Sequence, residues 1–137
     1  MKISILITIF ILIFVVTAFP QEDNKKTNNI TSEKSQITFS ETEYDFGTIK
    51  SGDDAKHYFV FSNTGNTPLV ILNVRASCGC MASEWPKAPV GYGMKDSLKI
   101  EYNTKIKGTF NKTISVQSNA VNEIYELRIK GTVIKAK

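Results

Sequence analysis

Cysteine and histidine are almost missing from this chain of 137 residues, which holds two of the first and one of the second. So few cysteines exclude a disulfide framework of the kind that staples small secreted scaffolds. They also exclude a four-ligand zinc site at a recognisable spacing. Hydrolase and nucleotide-binding signatures are missing too. There is no Gly-x-Ser-x-Gly elbow, no phosphate-cradling glycine loop and no His-Glu-x-x-His pair. Arginine clusters and aromatic–basic ladders are absent, which argues against a nucleic-acid partner. The net charge of +4 comes partly from Lys25, Lys26 and Lys34 in one polar segment, and the remaining lysines are scattered. That pattern reads as a solvated, lysine-rich surface.

What is present begins with a leader. Met1-Lys2 precedes an apolar run over residues 3–16, interrupted only by Ser4 and Thr8. One basic residue, a short apolar stretch and then small side chains form a secretory signal peptide, with cleavage expected after Ala18. The run falls short of the ~20 residues that span a bilayer comfortably, so no membrane association is expected after cleavage; the alternative is an uncleaved single-pass anchor over residues 3–16. No cysteine follows it to accept a lipid. The expected location is secreted or periplasmic, in the cell envelope. Residues 19–36 are rich in Asn, Lys, Glu, Thr and Ser and too poor in apolar groups to offset the entropy of ordering, so they read as a flexible linker.

Residues 37–137 read as one all-β domain. Ile37-Thr38-Phe39 alternates, as do Tyr44, Phe46 and Ile49. The clearest alternation sets Ala55, His57, Phe59 and Phe61 against Lys56, Tyr58, Val60 and Ser62. Residues 69–74 are apolar on both faces, as expected for an inner strand. Leu98, Ile100 and Tyr102 share a face in the next strand, and residues 110–117 and 124–134 complete the set. Gly131 marks a bulge or a close approach in the last strand. Seven to eight short antiparallel strands spaced by turns predict an immunoglobulin-like β-sandwich, with a small barrel as the competing architecture. The inter-sheet disulfide of antibody domains is excluded, because cysteines two positions apart cannot pin two sheets together.

Chemistry concentrates at Cys78-Gly79-Cys80. In extended chain both thiols leave the same face, and Gly79 lets the backbone turn. Three readings stand. An exported protein meets oxidising conditions, so the pair forms a disulfide; its very small ring makes the bond strained, reducible and a candidate redox centre. Alternatively the thiolates bind a soft cation such as Cu(I), with His57 and Met81 as further ligands. Or the two side chains only pack at a strand end. His57, on the apolar side of its strand, reads as a packed residue or as a ligand. Trp85 reads as a cover over the end of the core or as an exposed binding residue. Pro86 to Pro89 forms a kinked crossover.

Several of these segments together resemble one family. They are Tyr44-Asp45-Phe46-Gly47-Thr48-Ile49, Phe59-Val60-Phe61-Ser62-Asn63-Thr64-Gly65, Pro68-Leu69-Val70-Ile71, Ser77-Cys78-Gly79-Cys80, Trp85-Pro86 and Ser118-Asn119-Ala120. In this order they resemble the bacterial exported family catalogued as domain of unknown function fifteen-seventy-three, over nearly all of residues 37–133. The resemblance implies an immunoglobulin-type sandwich, similar in style to domains of cilium and centrosome proteins of the Hydin type, behind an export signal. It implies no activity, and no agreed role for Cys78 and Cys80. The expectation is a binding or assembly module for an unidentified protein or envelope component, rather than an enzyme. Its end strands, over 37–49 and 124–134, are candidates for adding to a partner sheet. The alternative is a thiol redox or Cu(I)-handling protein.

Overall fold

The structure, a computed structural model, describes residues 33–137. The expected signal segment, and all of the expected linker before residue 33, lie outside the described residues. Eight strands follow: β1 (Ile37–Phe39), β2 (Glu43–Lys50), β3 (Lys56–Asn63), β4 (Ile71–Ala76), β5 (Met81–Glu84), β6 (Lys95–Tyr102), β7 (Gly108–Ser118) and β8 (Ile124–Ile134). They form two four-stranded sheets, ordered β1-β3-β6-β5 and β2-β8-β7-β4. No helix occurs among the described residues. This is the expected immunoglobulin-like sandwich.

Strand alternation sets the core. Phe59 and Phe61 of β3 and Leu98 and Ile100 of β6 line the inner face of the first sheet. Ile114 and Val116 of β7 and Leu127 and Ile129 of β8 line that of the second. All eight are at most 1% exposed, and full burial of such a side chain stabilises by about 1.5–3 kcal/mol. Tyr102 stacks on Phe110 at 3.8 Å across the sheets.

Gly131 marks a close approach. A Cβ there would lie 2.9 Å from Phe110 Cζ and 3.1 Å from Gly47 O. Gly47 itself has φ 63°, a conformation that glycine adopts without steric cost. Asp45 Oδ1 accepts its N–H at 2.8 Å, where the β2 register shifts.

Three expectations need correction. The run over 69–74 is not an inner strand. β4 is the edge of its sheet, and Leu72 is 56% exposed. The register shift between Ile71 and Asn73 turns two successive residues outward, so an apolar run need not be buried on both faces. Pairing is not wholly antiparallel either. β2 runs parallel to β8, because the chain changes sheets between β1 and β2. β8 therefore lies between β2 and β7 and has no free edge for a partner strand; β1 and β2, over 37–49, are edge strands. Ser35, just before β1, is 2% exposed, and its Oγ donates to Asn119 O at 3.0 Å.

Candidate functional site

β4 is an edge of the second sheet and β5 an edge of the first, so residues 77–80 carry the chain from one sheet to the other. Both ends of this crossover are tied down. Ser77 N–H donates to Thr113 O at 2.9 Å, and Thr113 N–H returns a bond to Ser77 Oγ at 3.2 Å. At the far end Asn103 N–H donates to Cys80 O at 2.9 Å.

Cys78 and Cys80 are joined in a disulfide, with their Cα atoms 5.2 Å apart. The bond does not link the sheets. It cinches the strap between them. Both cysteines are half-buried, but their surroundings differ. The Cys80 N–H donates to Cys78 Sγ at 3.3 Å. Cys80 packs against the hydrophobic core and also lines an open concavity with Met81, Ala82, Glu101, Tyr102 and Asn103. Charged pairs flank this region. Glu84 Oε1 meets Lys99 Nζ at 2.8 Å, and this hydrogen bond raises the Lys99 pKa. On the adjoining turn, the hydrogen bond from Lys56 to Asp54 does the same for Lys56.

The other candidates divide. Met81 lines the same concavity as Cys80. His57 sits on β3, separated from β5 by β6. Its ring stacks on Tyr44 at 3.6 Å, and its Nε2 lies 2.8 Å from Glu41 Oε1. The soft donors Cys80 and Met81 are thus brought together beside Cys78, whereas His57 is engaged elsewhere. Among the described residues no cluster of three or more His, Cys, Asp or Glu side chains is placed to hold a metal ion. Trp85 packs against the core, with Lys87 Nζ 3.2 Å above its ring centroid.

Sequence reasoning gave no role to two asparagines that organise the opposite end of β6. Asn63 is fully buried. Its Nδ2 donates to Thr67 O at 2.7 Å and to Val90 O at 2.9 Å, and its Oδ1 accepts from Gly65 N at 3.0 Å. Asn119 Oδ1 accepts from Val70 N at 2.8 Å and from Ser35 Oγ at 3.0 Å, while its Nδ2 donates to Pro68 O at 3.0 Å. The loops they pin carry Tyr92 (73% exposed) and Val121 (59%), which line one shallow concavity with Lys34, Gln36, Thr64 and Asn66. Met94, 62% exposed, follows on the same loop as Tyr92. The available signal was Asn-Thr-Gly and Ser-Asn-Ala at strand ends, but the partners lie up to 84 residues away.

Comparison with known proteins follows the fold. The sequence model of a family described as "Protein of unknown function (DUF1573)" matches residues 37–133. No curated protein matches the chain in sequence. Among solved structures, a protein of unknown function from Porphyromonas gingivalis W83 is similar, with TM-score 0.67 and 17% identity over 78% of this chain and 51% of that one. This chain therefore spans about half the length of that relative. The PapD-like domain 7 of human CEP192 gives TM-score 0.59 and 13% identity, over 77% of this chain and 89% of that domain. A family 123 glycoside hydrolase from Clostridium perfringens gives TM-score 0.60 and 9% identity, over 75% of this chain and 27% of the enzyme. At these identities the likeness is one of fold.

Proposed function

The chain belongs to the DUF1573 family of proteins of unknown function, and from that premise we propose that it is an exported, non-catalytic binding or assembly module of the cell envelope. The observation that carries this reading is the rigid display of Tyr92, Met94 and Val121. Exposed apolar side chains on loops held by the side chains of Asn63, which is buried, and Asn119, which is not, are pre-organised for a partner, because little loop entropy is lost on contact. The partner is a protein or envelope component with an apolar surface. The test is recovery of partners from an envelope fraction with the wild-type domain, Tyr92→Ala and Val121→Asp. Partners retained by the wild type and by Cys78→Ala, but lost from both loop variants at unchanged melting temperature, support the reading. Equal recovery with all of them rejects it.

A second reading is favoured by the joined cysteines. A half-exposed disulfide beside an open concavity is a candidate thiol redox site. Its reduction would release two thiolates next to Met81, a soft-donor set suited to Cu(I). Reduction by mild thiols in the folded protein, or copper uptake by the reduced protein that the alanine variants lose, supports it. Inertness of the bond and of the reduced thiols sinks it.

A further inference from the structure

We propose that the Cys78–Cys80 bond is exchanged with a protein dithiol in a fixed sense, with Cys80 the sulfur attacked and Cys78 the sulfur that leaves. This rests on the redox reading of the pair and adds its polarity and the class of its partner.

Two independent features define the direction. Position favours Cys80, which lines the concavity between β5 and the end of β6 where a partner segment can seat, whereas Cys78, equally half-buried, does not line it. Charge stabilisation favours Cys78. The sulfur that leaves must carry a negative charge, and the Cys80 amide already donates to Cys78 Sγ at 3.3 Å. A hydrogen bond to the charged form lowers a thiol pKa, and a thiol of lower pKa leaves faster. Cys80 is the poorer leaving group because it packs against the apolar core, where a thiolate is poorly solvated. The tethered ends of the crossover hold this arrangement in place.

The exchange balances. A partner thiolate attacks Cys80 Sγ; the Cys78–Cys80 bond breaks, a partner–Cys80 bond forms, and the electron pair passes to Cys78 as a thiolate. The partner's second thiolate then attacks the partner's own sulfur in this mixed disulfide and releases Cys80. Two electrons and two protons pass from partner dithiol to domain dithiol, and the partner is oxidised. An oxidised partner runs the sequence in reverse. Glu101 on the rim of the concavity favours a dithiol segment flanked by a basic residue over an acidic one.

The experiment treats the oxidised protein with reduced glutathione, quenches with acid and an alkylating reagent, and locates each adduct by peptide mass spectrometry. The expected result is glutathione on Cys80 and alkyl on Cys78. An even split, or glutathione mainly on Cys78, overturns the polarity but leaves exchange standing. No adduct in the folded protein, with adducts in the unfolded one, overturns the redox reading itself. Alkylation of the single-cysteine variants across pH is the second readout. Cys78 in the Cys80→Ser protein should be alkylated faster at neutral pH, and from a lower pH onward, than Cys80 in Cys78→Ser. The reverse order also overturns the polarity.

Discussion

Asn63 and Val90 are bound side chain to backbone: Asn63 Nδ2 donates to the Val90 carbonyl at 2.9 Å, and that carbonyl also accepts the Leu69 N–H at 2.9 Å. Both acceptor sites of one buried oxygen are thereby filled. The pair ties the end of β3 to the bridge between Leu69 and Val90. Asn63→Ala removes the side-chain donor and leaves buried polar groups unpaired, so it should cost on the order of 3 kcal/mol. Denaturant titration measures it, and a loss below about 0.5 kcal/mol would contradict the assignment.

Gly65 lies under the backbone that enters β1. A Cβ there would overlap Lys34 O and Gln36 N and sit 2.7 Å from Ser35 C. Backbone cannot yield as a flexible side chain can, so Gly65→Ala should push residues 34–36 away. Amide exchange over β1 should accelerate well before the rest of the sandwich opens. Unchanged protection of the Ser40 amide, which donates to Val60 O, would show that the segment is not clamped.

Tyr102 is 4% exposed, and burial raises its pKa above the ordinary value near 10. The unfolded chain loses this phenolic proton first, so the native state holds more protons in that window. Stability therefore falls as pH rises past the ordinary value toward the raised one. Tyr102→Phe removes this term and should flatten the alkaline decline, although it leaves the neutral melting temperature nearly unchanged. Equal alkaline slopes in the two proteins would exclude Tyr102 as the source.

The Cys78–Cys80 bond closes a loop too short to constrain the unfolded chain much. Loop-closure entropy assigns it about 1.5 kcal/mol. Reduction, or Cys78→Ser with Cys80→Ser, should leave a folded sandwich with a melting temperature lowered by about 7 °C. Collapse of the fold on reduction would make the bond a structural clasp.

Local alternation was enough to place β3, β6 and β8, because each has one buried face. His57, Phe59 and Phe61 fall on one side as expected, and so do Leu98, Ile100 and Tyr102. Residues 69–74 misled because apolar character does not report a register shift. Ile71 points inward and Leu72 outward, so hydrophobicity overstates the burial. The parallel seam of β2 on β8 depends on a sheet change that no local pattern records. At the crossover, the cysteines were legible as the reactive pair. Their asymmetry was not, since it depends on Asn103, Tyr102 and Glu101 arriving from β6. Asn63 and Asn119 looked like turn residues because their partners are remote in sequence.

The position of β8 bears on how the domain forms. The strand furthest along the chain is a central stave of its sheet, paired to β2 on one side and to β7 on the other. Glu43 of β2 bonds Lys130 of β8 across 87 residues. Until β8 arrives, β2 has no neighbour, and Phe110, Ile114 and Val116 have lost part of their cover. Assembly is therefore governed by distant pairings, which makes it slow for a domain of this size and leaves a sticky half-sheet waiting for its last member. A chain truncated before Ile124 should not yield a smaller stable sandwich. It should yield a species that other chains, or a holding factor, must shield.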